Sequence, residues 1–92
     1  MKLIIREQAA DDLEGIFAWI ARDNPRAAVS VVKRIRERLG RLVTPGLQHS
    51  GRPGQREGTR ELIEGPYIIV YRVNEDRGEI EVLTIVYGAQ NR

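Results

Sequence analysis

The stretch that decides the fold is TRELIEGPYIIVYRVNEDRGEIEVLTIVY, residues 59–87. Residues 66–73 are apolar nearly throughout and rich in Tyr, Ile and Val, which is typical of a central strand covered on both faces. The polar run 74–78 ends in Gly78, a residue suited to a tight reversal. In the alternating run that follows, every second residue forms one predicted face: Ile80, Val82, Thr84 and Val86. The stretch therefore predicts three successive antiparallel strands.

The segment before this sheet changes to helical periodicity. Residues 2–6 are predicted as a short strand that joins the sheet, and a first helix begins at Glu7. Apolar residues at helical spacing mark the side of this helix that faces the core: Leu13, Ile16, Phe17 and Ile20. Asn24 or Asp23 can cap a second helix, and Pro25 suits its first position. This helix is predicted to run to about Leu42 or Val43. Because the linker is short, the two helices are expected to form an antiparallel hairpin.

The composition narrows the class of protein. The chain has no cysteine and a single histidine, which excludes disulfides and a thiolate zinc site, and no metal or cofactor is predicted. No apolar run approaches the roughly 20 residues of a membrane span, and the N-terminus lacks a signal-peptide core. We therefore expect a soluble, cytoplasmic α+β protein with residues 1–92 as a single domain. Its N-terminal strand and antiparallel helical hairpin would pack on a small antiparallel sheet, in the order β-α-α-β-β-β.

Positive charge is concentrated in the middle of the chain. Residues 26–56 carry eight basic side chains and one acidic side chain, a net charge of +7, whereas residues 1–25 sum to −2 and residues 57–92 to −3. The basic segment covers the second helix and the loop after it, so an acidic partner or nucleic acid would be attracted there. The alternative is a surface helix whose arginines are simply solvated.

Catalytic constellations are scarce in this sequence. Neither serine lies in a nucleophile-elbow motif, the histidine lies in a loop without an orienting carboxylate, and the irregular Gly-rich loop 47–58 lacks the spacing of a P-loop. Arg72 stands out because alternation places it on a face of the predicted central strand. An ion pair with Glu61 or Glu81 is the favoured interpretation, and binding of an anionic ligand is the alternative.

Several helical residues lie off the apolar stripes. Trp19, on the flank of the first helix, is expected to pack beneath a neighbouring element, with anchoring of a partner as the alternative. Val29 lies off the stripe of the second helix, where leftover apolar positions can form a shallow groove for a partner. Asp11 and Asp12 are expected to be solvated on an exposed helix face, so they are not catalytic candidates.

The order of elements and five short motifs together resemble a known family. The motifs are DNPRAA (23–28), GRPG (51–54), GTREL (58–62), PYIIVYRV (66–73) and VLTIVYGAQ (82–90). With them the chain resembles the RelE/ParE superfamily of toxins from type II toxin–antitoxin systems. Its acidic first helix and the DNPRAA motif are similar to the ParE, or plasmid stabilisation, branch. The resemblance covers essentially the whole chain.

The superfamily has two activities, and the resemblance favours inhibition of an enzyme by binding over cleavage of RNA. RelE-type members cleave messenger RNA in the ribosomal A site, whereas ParE-type members inhibit DNA gyrase by binding. The residues that would match an RNA-cleaving site are Arg52, Arg56, Arg60, Arg72 and Tyr87. RelE-type enzymes, however, carry an arginine where this chain has Ile68, and a basic residue near Ala89 and Gln90. We therefore predict a ParE-like gyrase inhibitor that arrests growth, with ribosome-dependent RNA cleavage and a non-toxic binding module as the alternatives.

The resemblance also implies a partner protein. Antitoxins of this family wrap the helical hairpin with an amphipathic helix and add an extended segment to the sheet, both common modes of recognition. An acidic antitoxin would suit the segment of positive charge. The residues that we assign to antitoxin binding, within a toxin–antitoxin hetero-oligomer, are Trp19, Val29, Lys33 and Arg36.

Overall fold

The computed structural model of the protein describes residues 1–88 as a helical hairpin packed on a five-stranded sheet. Its elements are β1 (Lys2–Ile5), α1 (Glu7–Ala21), α2 (Pro25–Leu42), β2 (Arg52–Pro53), β3 (Arg60–Glu64), β4 (Tyr67–Asn74) and β5 (Glu79–Tyr87). The strand order is β1-β5-β4-β3-β2. The predicted α+β fold is confirmed. The sheet is mixed rather than wholly antiparallel, because β1 pairs in parallel with β5.

The hairpin begins and ends as its local signals predict. The side chain of Asn24 accepts a hydrogen bond from the backbone N–H of Ala27 at 3.1 Å, and Pro25 opens α2, so Asn24 is the cap of the two predicted candidates. Phe17, which the periodicity places in the core, is 41% exposed. The reason is that α1 packs on the sheet through Ala9 and Leu13. Phe17 lies to one side of this contact, next to exposed residues of α2 such as Val29.

The core lies between the hairpin and one face of the sheet. Its buried residues are Ala9, Leu13, Ile35, Leu39, Leu42, Leu62, Tyr67, Ile69, Tyr71, Ile80, Val82 and Ile85. Tyr71 has no exposed surface, and its hydroxyl accepts a hydrogen bond from the backbone N–H of Gly51 at 2.9 Å. The carbonyl oxygen of Gly51 accepts from Arg60 Nε at 2.9 Å. Gly51 therefore ties the loop after α2 to the sheet. That loop is not wholly irregular, because it contains β2, which pairs with β3.

A bulge in β5 overturns the predicted alternation of that strand. Val70 lies opposite Thr84 and Tyr71 opposite Val82, so Leu83 is an extra residue without a partner on β4. The two faces exchange after it, because side chains alternate with a period of two. Ile85 consequently joins the core with Ile80 and Val82, rather than lying on the face of Glu81 as the sequence predicts.

Asp12 is not solvated as expected. Its Oδ2 accepts hydrogen bonds from the hydroxyl of Thr84 at 2.6 Å and from the backbone N–H of Ile85 at 2.9 Å. Within the described part of the chain, β1 ends opposite Val82, so this edge of β5 is not covered by a strand beyond that point. A carboxylate from α1 satisfies the exposed amide instead.

Candidate functional site

The face of the sheet away from the helices carries a buried carboxylate between two arginines. Arg72 and Glu81 lie opposite each other on β4 and β5, and the side chain of Glu81 is only 2% exposed. Arg6, directly after β1, approaches Glu81 Oε2 with its Nε at 2.9 Å, and Arg72 approaches Oε1 with its Nε at 3.1 Å. The favoured interpretation of Arg72, an ion pair across strands, is confirmed.

This arrangement shifts the pKa values of Glu81 and Arg72 so that both charged forms are favoured. Hydrogen bonds from Arg72 and Arg6, assisted by their charges, lower the pKa of Glu81 to about 2, although burial opposes ionisation. The bond to Glu81 raises the pKa of Arg72. Because the folded-state pKa of Glu81 is below the ordinary value of 4.5, the carboxylate contributes stability above pH 4.5 that is lost as the pH falls toward 2.

We expect Glu81→Gln to lower the free energy of unfolding at pH 7 by about 2 kcal/mol, because it removes two charge-assisted pairs at constant shape. The difference from the wild type should shrink between pH 4.5 and 2, where the wild-type carboxylate becomes protonated. Urea unfolding at several pH values measures both effects. The control is Glu57→Gln, which removes an exposed carboxylate without a hydrogen bond or ion pair to residues 1–88. Equal losses in the two variants, or a loss independent of pH, would contradict the assignment.

A second ion pair lies on the same face, beside a shallow concavity. Arg52 Nη2 of β2 is 3.1 Å from Oε1 of Glu61, a buried residue of β3. The concavity has a volume of about 320 Å³, with Val70 among its apolar lining residues and Arg56 at its rim. The guanidinium of Arg56 makes no hydrogen bond or ion pair with any of residues 1–88. Among the five residues that would match an RNA-cleaving site, which we call the RNA-cleavage set, Arg56 therefore has a guanidinium group that is available to bind an anion.

The remaining two residues of that set lie elsewhere. Arg60 donates through its guanidinium to the carbonyl oxygen of Gly51. Tyr87 lies opposite Tyr67 on the face that the helices cover, with the two rings edge to face at 5.9 Å. Burial, together with the nearby Tyr87, raises the pKa of Tyr67. Tyr87 and Arg72 thus project from opposite faces of the sheet, and the five residues do not converge on one point.

The outer side of the hairpin carries an apolar groove with a basic rim, which we call the hairpin groove. Its lining residues are Phe17, Val29, Val32, Lys33, Arg36 and Glu37. Three of the four residues assigned to antitoxin binding, Val29, Lys33 and Arg36, are therefore brought together on α2. Phe17 also lines this surface, although the apolar periodicity of the first helix predicts that it faces the core.

Trp19 lies apart from the hairpin groove. Its side chain is 70% exposed, so the expectation that it packs beneath a neighbouring element is wrong. The guanidinium of Arg22 lies over the ring, 5.3 Å from the centroid. Trp19 lines a second groove, between α1 and β5, together with Tyr67 and Tyr87. This groove is open because β1 ends before it reaches that part of β5.

Two other features bear on function. Among residues 1–88, no cluster of histidine and acidic side chains is placed to hold a metal ion. None of the helices in that part of the chain has the length and apolar character needed to cross a membrane. Ala89 and Gln90, which depart from the RelE pattern, lie outside the described residues.

The fold is similar to that of solved toxin structures. A chain of the chromosomal ParDE toxin–antitoxin system from P. aeruginosa matches with a TM-score of 0.81 and 31% identity, covering 95% of each chain. The isolated E. coli RelE toxin matches with a TM-score of 0.70 and 11% identity, covering 99% of this chain and 87% of RelE. The second likeness shows the fold alone. The protein thus has the fold of the RelE/ParE superfamily.

Sequence comparison gives the family. The Sinorhizobium fredii (strain NBRC 101917 / NGR234) protein named "Putative toxin Y4kP" is 41% identical over 80 residues, which cover 85% of this chain and 78% of that relative. The family described as ParE toxin of type II toxin-antitoxin system, parDE, matches residues 3–92. The chain therefore belongs to the ParE toxin family, and the resemblance drawn from its motifs is confirmed.

Proposed function

We propose that this toxin inhibits DNA gyrase by binding it in the cytoplasm, without cutting RNA. One observation supports this proposal most strongly: the residues of the RNA-cleavage set lie on two different faces of the sheet. RNA transesterification needs a general base, a general acid and cations around one phosphate. Tyr87 lies on the face opposite Arg72, so it is not placed to act on a phosphate held there. Membership of the ParE family supports the same choice.

The ion pairs on the open face also favour docking over catalysis. Arg52 and Arg72 each share their charge with a buried glutamate, which reduces the positive potential that a scissile phosphate would meet. The same pairs hold half-exposed guanidinium groups in fixed positions. Pre-positioned charged groups are suited to specific recognition of a macromolecular surface.

The neutralising partner is proposed to be a small acidic antitoxin, one helix of which lies in the hairpin groove. Phe17, Val29 and Val32 would receive the apolar face of that helix, and Lys33 and Arg36 would pair with its acidic residues. Two solved relatives of similar fold, from the ParDE system of P. aeruginosa and the RelBE complex of E. coli, belong to toxin–antitoxin systems. This supports a hetero-oligomer here.

We expect the purified chain to inhibit supercoiling by DNA gyrase while messenger RNA in a translating extract stays intact. Tyr87→Phe should inhibit equally well, because it removes the hydroxyl and retains the ring packed on Tyr67. The chain bound to its antitoxin is the inactive control. The opposite result would be new transcript ends at the ribosomal A site, absent with Tyr87→Phe, together with unaffected gyrase. That result would support a RelE-like endonuclease. Growth that continues when the wild type is expressed alone would support a non-toxic binding module.

A further inference from the structure

We propose that the groove between α1 and β5 is a docking site for an arginine side chain of a partner protein. We call it the aromatic groove. It has a volume of about 670 Å³, and its walls include Asp11, Gly15 and Trp19 of α1 and Tyr67 and Tyr87 of the sheet. This site is separate from the hairpin groove, and the proposal does not depend on which enzyme the toxin inhibits.

The α1 wall of the groove follows from helical spacing. Asp11, Gly15 and Trp19 are four residues apart, so they form one stripe along the helix. Glycine in a helix interior is destabilising by roughly 0.5–1 kcal/mol relative to alanine. A Cβ at Gly15 would meet no atom within 4 Å, so packing in the free chain does not require this glycine. Because Gly15 has no side chain, there is space between the carboxylate of Asp11 and the indole ring of Trp19. A planar group of a partner would fit into this space.

The chemistry of the walls selects a cation. The guanidinium of Arg22 lies 5.3 Å from the centroid of the Trp19 ring, so this indole binds a guanidinium within the chain itself. Trp19 is nevertheless 70% exposed, and a partner's arginine would contact the part of the ring that Arg22 leaves open. On the opposite wall Tyr87, which is 45% exposed, offers further aromatic surface, and it packs edge to face on the buried ring of Tyr67. Asp11 makes no hydrogen bond or ion pair with any of residues 1–88, so its carboxylate is available. Arginine fits better than lysine because its flat guanidinium stacks on aromatic faces and binds a carboxylate with two parallel hydrogen bonds.

The surroundings argue against two other occupants. An added β-strand would use the edge amide of Ile85, but Asp12 already accepts that hydrogen bond. An acidic antitoxin helix would be repelled, because residues 1–25 carry a net charge of −2 and Asp11 faces the groove. The aromatic groove and the hairpin groove therefore have opposite electrostatic preferences on two sides of the same helix.

Trp19 is the single tryptophan of the chain, so its fluorescence reports directly on the groove. The test is a titration of the purified chain with a capped pentapeptide that has arginine between two leucines, beside the same peptide with neutral citrulline. We expect a saturable change in Trp19 fluorescence and at least about tenfold tighter binding of the arginine peptide. A non-saturable signal, or equal binding of the citrulline peptide, would overturn the proposal.

Two pairs of variants separate the groove from general effects on the fold. Gly15→Leu and Gly40→Leu both replace an exposed helical glycine with open space around it, so both should raise the melting temperature. Only Gly15→Leu should abolish peptide binding. Asp11→Asn should weaken it about tenfold, whereas Glu57→Gln, an equal change in charge at an exposed position outside both grooves, should not. Retained binding in Gly15→Leu, or equal losses in the two charge variants, would contradict the assignment.

Discussion

Replacing Gly51 with alanine is expected to lower the free energy of unfolding by about 3 kcal/mol. A Cβ at this position would lie 2.7 Å from the backbone oxygen of Glu61 and 2.9 Å from the ring of Tyr71. Neither neighbour can move freely, since Glu61 is part of β3 and Tyr71 is fully buried. The added methyl group would therefore force the loop away from the sheet. It would also break the hydrogen bond from Gly51 to the tyrosine hydroxyl.

Urea unfolding followed by circular dichroism measures this loss. The matched control is Gly40→Ala, in which the new methyl group points into open space on the exposed side of α2. That variant should be more stable than the wild type by roughly 0.5–1 kcal/mol, because alanine favours a helix over glycine. A Gly51→Ala variant as stable as the wild type would show that the loop is not held as closely to Tyr71 as described.

Much of the architecture was accessible from the sequence because its signals are local. The cap at Asn24, the proline after it and the apolar periodicity of α2 each act within a few residues, and they correctly predict the bounds of the hairpin. The same holds for the turn at Gly78, whose φ is +61°. The continuous apolar run of β4 was likewise enough to place it inside the sheet.

The features that the sequence did not reveal depend on contacts between distant residues. The bulge at Leu83 shows only in the register of β5 against β4, and no turn residue marks it. Phe17 lies on the apolar stripe of α1 and Trp19 lies beside it, yet both are exposed, because periodicity does not indicate which part of a helix its neighbours cover. Arg6 reaches Glu81 across 75 positions of the chain, which no local pattern indicates.

The bulge also determines on which face of the sheet Tyr87 lies. Strict alternation places Tyr87 on the face of Glu81, which is also the face that carries Arg72. With one extra residue at Leu83, Tyr87 is transferred to the face that the helices cover. There it contributes to the aromatic groove with Trp19. A single inserted residue thus places Tyr87 and Arg72 on opposite faces of the sheet.

Reversing two charges at the rim of the hairpin groove, Lys33→Glu together with Arg36→Glu, is expected to weaken binding of the antitoxin by about 100-fold or more. Both side chains line the groove, and neither forms an ion pair within residues 1–88. The fold should therefore be unaffected, while an acidic helix in the groove would lose two favourable pairs and meet two repulsive ones. Calorimetric titration of the toxin with its antitoxin measures the change.

The control for this experiment is Arg26→Glu together with Arg41→Glu, which changes the net charge equally at exposed positions of α2 outside the groove. Its effect should be confined to long-range attraction, which salt screens beyond about 10 Å, so it should be small at 0.1 M salt. If both double variants bind equally weakly, overall charge rather than the groove governs affinity. If the Lys33 and Arg36 variant binds normally, the antitoxin helix lies on another surface, because two reversed charges beside its acidic face could not be tolerated.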